Sequence, residues 1–139
     1  VATPGYLRRH GTPRHPRGRL DSERYQCLTL SSEASQTRGW AFLENDELLH
    51  IKPGGPLDCS DGQVLHAWCL GGHGIAWRST WEVANDIASG RLVSLLDEFA
   101  APPNGIYAVF AQRKHLPLRL RLWIDYLKGR YGDPGYWEQ

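Results

Sequence analysis

The sequence predicts an α/β domain with a largely parallel sheet. Strand-like segments alternate with helical segments along the chain, and residues 74–77, Gly-Ile-Ala-Trp, are short, apolar and β-prone, as a buried parallel strand is. The chain has 139 residues, enough for one domain with a real core. Its hydrophobic content of 41% and its six Trp residues exclude a disordered chain.

The chain begins with a strand end and a short helix. Residues 1–2 are expected to finish a strand. Thr3 is expected to cap a helical turn that has Pro4 in its first position and ends at Gly11. A basic loop punctuated by prolines follows, in which a short helix could restart at Pro16. We interpret the basic residues of segment 8–19 as a solvent-facing surface, because the prolines interrupt any recognition helix.

Several further segments carry strand patterns. Besides 74–77, the predicted strands are residues 26–30, 39–44, 48–52, 91–96 and 105–111. Residues 31–38 are a polar loop, and residues 45–46 are the expected turn between the second and third of these strands.

The clearest helix is predicted within residues 58–72. Ser60 and Gln63 have the spacing of a capping box, and Gly71 and Gly72 are expected to form its left-handed end. Its apolar stripe would consist of Val64, Leu65, Trp68 and Cys69. A second helix is predicted through residues 82–87, with Ser79 or Thr80 as its cap and Gly90 at its end. A last helix opens at Pro117 and continues to about Tyr131.

The glycine-rich stretch 71–81, Gly-Gly-His-Gly-Ile-Ala-Trp-Arg-Ser-Thr-Trp, fits no common catalytic motif. It opens a strand and lacks the lysine of a phosphate-binding loop, and it does not follow a strand as a dinucleotide fingerprint does. His73 has no partners at zinc-ligand spacing, and no nucleophile elbow is present. We therefore predict a helix end that leads into a buried strand, with no catalytic residue, metal or cofactor; a catalytic His73 remains the alternative.

The charge and the cysteine content of the chain indicate which partners and which cellular compartment to expect. The net charge of +1 gives no general electrostatic reason to bind nucleic acid. Three cysteines without Cys-x-x-Cys spacing favour reduced thiols in the cytoplasm. No apolar run has membrane-spanning length and no leader pattern opens the chain, so no membrane partner is expected. The absence of Met suggests a processed start or a piece of a longer chain.

Over nearly its full length the chain resembles the effector-binding domain of LysR-type transcriptional regulators. Four segments carry this resemblance in the family's order: residues 2–20, the strand Cys-Leu-Thr-Leu followed by Gly-Trp-Ala-Phe, residues 64–96, and residues 105–127. The chain departs from the family at Thr3, where Ser is usual, and at Gly18, where Asp is common before Leu. Residues 77–79, Trp-Arg-Ser, replace a common Leu-Pro, which leaves the class of inducer open.

The resemblance implies a periplasmic-binding-protein-like (type 2) effector domain of two α/β subdomains joined by crossover strands. Residues 6–99 would form a complete second subdomain. Residues 1–5 and 105–139 would be crossover strands and the remnant of a partial first subdomain, and the N-terminal winged helix-turn-helix would be absent. The implied partners are a small-molecule effector, DNA only through that absent domain, RNA polymerase, and further copies of the protein in a homodimer or homotetramer. The implied location is the cytoplasm.

In such folds the effector lies in the cleft between subdomains, at the carboxyl ends of strands. Ser31, Ser32 and Ser60, the last with the free N–H groups of its helix, are the expected anchors for an anionic group. Thr3 and Pro4 would line the hinge side, and Gly72, His73 and Gly74 would approach the cleft edge. Two rivals remain open: an extracytoplasmic solute-binding protein with the same fold, and an enzyme.

The last helix is expected to need a partner. Its apolar stripe is wider than a surface helix of a complete domain requires. We expect it to pack against another chain or against a retained piece of the first subdomain. The stripe consists of Leu116, Leu120, Trp123, Ile124, Leu127 and Tyr131, widened by Leu118 and Leu122.

Overall fold

The computed structural model describes residues 1–17, 20, 25–31, 39–102, 107, 109 and 117–133. These residues belong to two compact units, residues 1–102 and residues 103–139. No helix within the described ranges is both long and apolar enough to cross a membrane.

The first unit is built on a three-stranded parallel sheet. The central strand β1 (Cys27–Leu30) pairs with β4 (Leu57–Cys59) on one side and with β5 (Ile75–Ala76) on the other. Leu28 lies opposite Leu57 in one pair and opposite Ala76 in the other. The predicted parallel sheet and its buried Gly-Ile-Ala strand are thereby confirmed.

A β-hairpin accompanies this sheet. Strand β2 (Trp40–Glu44) pairs with β3 (Glu47–Ile51) in the antiparallel direction. The two turn residues, Asn45 and Asp46, have φ angles of 50° and 64°. Asn and Asp tolerate this left-handed region better than other side chains, and it gives the turn the twist that a two-residue hairpin needs. The predicted hairpin is confirmed.

Helix α1 (Pro4–His10) begins as the sequence predicts. The Thr3 hydroxyl accepts the Tyr6 N–H at 3.2 Å, and Gly11 ends the helix with a φ angle of 83°. The buried Tyr6 ring stacks on His10, and its hydroxyl accepts the Gln26 N–H at 2.8 Å. Burial raises the pKa of Tyr6, so this phenol stays neutral and anchors α1 just before β1. Residues 16–17 form a bend and turn, and no helix begins at Pro16.

Helix α2 (Gly62–Leu70) is capped by Asp61, so the predicted Ser60–Gln63 capping box is wrong. The Asp61 carboxylate accepts the N–H groups of Gln63 at 2.7 Å and Val64 at 3.1 Å. A carboxylate stabilises a helix start both by these bonds and by its charge near the positive helix end, so it prevails over the neighbouring hydroxyl.

The rest of α2 follows the prediction more closely. Leu65 and Cys69 are buried and Trp68 is half-buried, but Val64 is exposed. Of the two terminal glycines only Gly72 is left-handed, with a φ angle of 72°.

Helix α3 (Thr80–Ala88) has Ser79 as its N-cap residue, and the left-handed Gly90 follows its end. The Glu82 carboxylate accepts the Ser79 N–H at 3.3 Å. The predicted strand at 91–96 is wrong, because its backbone groups bond elsewhere. The Leu92 N–H donates to the Asp86 carbonyl at 3.0 Å, and only Val93 pairs, with Ala2. A short 3₁₀ turn (Asp97–Phe99) follows.

Two buried clusters cover the two faces of the sheet. One contains Ala2, Tyr6, Leu20, Tyr25, Cys27, Trp40, Phe42 and Ile75. The other contains Leu28, Leu65, Cys69, Ala76, Val83 and Leu92. Because Cys27 and Leu28 alternate in β1, the hairpin and α1 pack on one face while α2 and α3 pack on the other.

In the second unit the described structure is helix α4 (Leu118–Tyr131), which begins after Pro117 as predicted. None of its residues is buried, and Leu118, Leu122 and Trp123 are exposed. Leu116 of the predicted stripe lies outside the described residues. Most of the predicted strand at 105–111 also lies outside them; residues 107 and 109 have no regular secondary structure.

Candidate functional site at the carboxyl edge of the sheet

The carboxyl ends of β1, β4 and β5 meet at one edge of the parallel sheet. Ser31 follows β1 and its N–H donates to the Cys59 carbonyl at 2.7 Å, so Ser31 lies beside the end of β4. Ser60 is the next residue of that strand end and is exposed. The structure therefore places Ser31 and Ser60 at the same edge of the sheet, and their role as ligand anchors stays a prediction. Ser32 lies outside the described residues.

The Ser31 hydroxyl is oriented by a carboxylate. It donates to Asp58 Oδ1, while the Thr29 hydroxyl donates to Asp58 Oδ2 at 2.8 Å. Because its single proton is used in this way, the Ser31 oxygen offers its remaining lone pairs to a donor on a ligand. Asp58 was not predicted from the sequence, although its position opposite Thr29 follows from the register of two parallel strands.

Among the described residues, Arg78 is a cation that follows a strand at this edge. It lies two residues after β5, only 6% of its side chain is exposed, and its Nη2 donates to Glu82 Oε1 at 2.8 Å. The guanidinium lies against the start of α2, since a Cβ on Gly62 would be 3.1 Å from its Nη1. The neighbouring Trp77 and Trp81 are about half exposed, at 48% and 52%. A cation directly after a buried parallel strand is the sequence signal that would have identified Arg78 as a candidate site residue.

The other predicted site residues lie at the opposite, amino edge. Val1 and Ala76 exchange two backbone hydrogen bonds, of 2.8 and 2.9 Å, as an antiparallel pair does. The chain therefore passes β5 in reverse and places Thr3 and Pro4 near the amino end of that strand. The Thr3 hydroxyl lies 3.1 Å from where a Cβ on Gly72 would be.

His73 and Gly74 share that amino edge. A Cβ on Gly74 would lie 2.3 Å from the Gln26 carbonyl, so this residue must be glycine for β5 to pair with β1. The exposed His73 ring folds back over Gly71, where a Cβ would lie 2.9 Å from ring atom Cδ2. The backbone N–H of His73 donates to the Trp68 carbonyl at 3.1 Å. The structure does not bring these residues together with Ser31 and Ser60.

All three cysteines lie in the described residues, and none forms a disulfide there. Cys59 is next to Ser60, is partly exposed, and donates through Sγ to the Asp61 carbonyl at 3.2 Å. Burial raises the pKa of the Cys69 thiol, so Cys69 is an unreactive core residue.

Comparisons with known proteins agree with this architecture. The family model described as LysR substrate binding domain matches residues 1–132. The HTH-type transcriptional regulator DmlR of Escherichia coli (strain K12) is 35% identical over 133 residues, which are 95% of this chain and 42% of that protein. The HTH-type transcriptional regulator CrgA of Neisseria meningitidis (serogroup C, strain 8013) is 35% identical over 135 residues, or 96% and 43% of the two chains. The chain thus spans less than half the length of these curated relatives.

Solved structures show the same similarity. The regulatory domain of CrgA from Neisseria meningitidis superposes with a TM-score of 0.66 at 33% identity, over 91% of this chain and 60% of that one. The full-length Vibrio cholerae virulence activator AphB superposes with a TM-score of 0.71 at 25% identity, over 92% and 42%. The fold is therefore of the periplasmic-binding-protein-like type 2 class. Its sequence match, its relatives and its fold agree that the chain belongs to the LysR substrate-binding domain family.

Proposed function

We propose that this chain is the effector-sensing part of a LysR-type transcriptional regulator, and that a small molecule binds at the carboxyl edge of its parallel sheet. One observation carries the proposal: Ser31, Ser60 and Arg78, which follow three different strands, converge at that edge. Ligands of α/β folds bind outside the carboxyl ends of parallel strands. The curated relatives are transcriptional regulators, which favours this proposal over a solute-binding protein or an enzyme.

The proposed mechanism is a shift between conformations and involves no catalysis. An effector that touches both subdomains of the complete regulator binds the closed arrangement better than the open one, and thereby shifts the population toward it. Coupling to DNA arises because closure changes the geometry of the oligomer. In this proposal Thr3 and Pro4 remain hinge-side residues and need not touch the effector. The proposed setting is cytoplasmic, in a homodimer or homotetramer that contacts DNA through a domain outside this chain and acts on RNA polymerase.

The basic segment 8–19 is proposed to be scaffold. His15 Nε2 lies 2.7 Å from Glu44 Oε1, and Arg17 Nε donates to Glu44 Oε2 at 2.8 Å. The His15 ring also meets the Phe99 ring edge-on, with 4.9 Å between the centroids. These contacts hold the basic segment against the hairpin and support a packing role for this segment.

The test uses the complete polypeptide and its genomic binding sites. DNA fragments bound by the protein are selected from the genome, and their footprints are compared with and without pooled small metabolites. We expect at least one fraction to change the footprint, and Ser31→Ala to abolish this response while leaving DNA affinity unchanged. The proposal is overturned if the protein selects no specific DNA, or if no fraction alters the footprint.

A further inference from the structure

We infer that Arg78 makes this regulator selective for an effector that carries a carboxylate. The inference rests on the proposed function, because it assigns the ligand chemistry of the same edge. The sequence predicts that an anion binds the free N–H groups at the start of α2. The Asp61 carboxylate, however, already accepts two of these N–H groups. The anchor for an anion is therefore the guanidinium that lies against that helix start.

The donor set of Arg78 is incomplete. Its Nε is buried and has no hydrogen-bond partner within the described parts of the chain. A guanidinium has five N–H donors, of which Glu82 accepts one at Nη2. Since a buried donor without a partner is costly, a ligand carboxylate that supplies an acceptor for this guanidinium offsets part of that cost.

Protein groups contact the guanidinium on two sides. Glu82 accepts from Arg78 through Oε1 and from the Ser79 N–H through Oε2, so the carboxylate that orients Arg78 is tied to the first turn of α3. On its other side the absence of a side chain at Gly62 lets Arg78 approach α2. A planar fork held in one orientation suits a carboxylate better than a flexible ammonium does.

Two further carboxylates in the described part of this edge have donors of their own. Asp58 is held by the hydroxyls of Thr29 and Ser31, and Asp61 by the first turn of α2. Neither carboxylate therefore depends on Arg78. Ser31 requires a hydrogen-bond donor on the ligand. Its hydroxyl proton is already donated in a hydrogen bond to Asp58, so the Ser31 oxygen can only accept from the ligand. The fitting effector is a small carboxylate that also carries a hydroxyl or amino group.

The experiment titrates the complete polypeptide by calorimetry with small hydroxy- and amino-carboxylates, each paired with its primary amide as a neutral analogue. Glycolate with glycolamide, lactate with lactamide, and glycine with glycinamide begin the series. We expect at least one acid to bind, with its amide at least tenfold weaker. The variant Arg78→Gln/Glu82→Gln should weaken the acid at least tenfold, and Arg78→Lys should weaken it by a smaller factor.

Two controls keep the result interpretable. The double variant removes the ion pair as a unit, so neither partner is left without the other, and its thermal unfolding verifies that it folds. Arg14→Gln removes an exposed positive charge and should leave affinity unchanged. The inference is overturned if no acid binds, if an amide binds as tightly as its acid, or if the double variant keeps the parent affinity. A neutral effector that is lost in Ser31→Ala but kept in the double variant overturns the role of Arg78 and leaves the proposed function standing.

Discussion

His66 Nε2 lies 2.8 Å from Asp86 Oδ2 and joins the middle of α2 to α3. Only 6% of the Asp86 side chain is exposed, and its other carboxylate oxygen pairs with the Arg91 guanidinium. At the amino ends of the same two helices, Arg78 packs against Gly62 of α2 and pairs with Glu82 of α3. Two clamps, centred on Asp86 and on Arg78, therefore hold the helices that frame the carboxyl edge.

The buried carboxylate makes the first of these clamps sensitive to substitution. Asp86→Asn removes the charge that His66 and Arg91 share, and leaves both with a weaker partner. We expect the free energy of unfolding of the chain to fall by about 2–4 kcal/mol. Urea denaturation followed by tryptophan fluorescence measures it, with the exposed Glu47→Gln as a control expected to change by less than about 0.5 kcal/mol. Equal stability of Asp86→Asn and the parent would show that the cluster is not a clamp.

The helix cap gives a second prediction. Asp61→Ala removes the acceptor of two N–H groups and should cost about 1 kcal/mol of stability. Ser60→Ala, one position outside the cap, should change stability by less than about 0.5 kcal/mol. Thermal unfolding of both variants compares them directly. A larger loss from Ser60→Ala would mean that Ser60 and not Asp61 caps the helix.

The cap also shows where sequence patterns stop being decisive. Ser60 and Asp61 are adjacent and are both good cap residues, so the local sequence pattern does not choose between them. The choice depends on where the last residue of β4 leaves the sheet, which is a tertiary property. The strand prediction for residues 91–96 was wrong for a similar reason. The Leu92 N–H donates to the Asp86 carbonyl and is therefore not available for pairing with a neighbouring strand. Segments whose signal is local, such as the Asn45–Asp46 hairpin and the Thr3 cap, were predicted correctly.

Thiol chemistry gives a third prediction. Cys27 and Cys69 are buried and burial raises the pKa of Cys69, whereas Cys59 is partly exposed. In the folded chain at neutral pH, a thiol reagent such as iodoacetamide should label Cys59 at least tenfold faster than Cys69. Peptide mass spectrometry at successive times measures the three rates, and unfolding in urea should equalise them. Fast labelling of Cys69 in the folded chain would contradict its place in the core.

The dependence of stability on pH at the hairpin residue Glu44 gives a fourth prediction. The hydrogen bond from His15, followed by the charge and hydrogen bond of Arg17, holds the pKa of Glu44 below its ordinary value of 4.5. Because the folded pKa is the lower one, the resulting stabilisation is present above the ordinary value and is lost as the pH falls through the folded pKa. Glu44→Gln should therefore reduce the loss of stability between about pH 5 and pH 3. Denaturation at several pH values measures this slope, and Glu47→Gln, which removes an exposed carboxylate, should leave it unchanged.

The candidate site was only partly predictable from the sequence. Ser31 and Ser60 follow from one rule, that side chains after parallel strands meet at the carboxyl edge. Thr3 and His73 were expected near the same cleft. The sequence does not reveal that residues 1–3 run antiparallel to β5 and so place both residues at the opposite edge. In the sequence, Arg78 stands out only as a departure from the family pattern. Its burial and the missing hydrogen-bond partner of its Nε depend on how α2 and α3 pack, which the sequence does not show.

The most direct test of the account is the crystal structure of the complete regulator with an effector found by the footprinting or calorimetric experiments. We predict that the ligand lies at the carboxyl edge, with a carboxylate oxygen within hydrogen-bond distance of Arg78 and a donor group facing the Ser31 hydroxyl. A ligand bound at the amino edge, against Thr3, Gly72 or His73, would contradict the account.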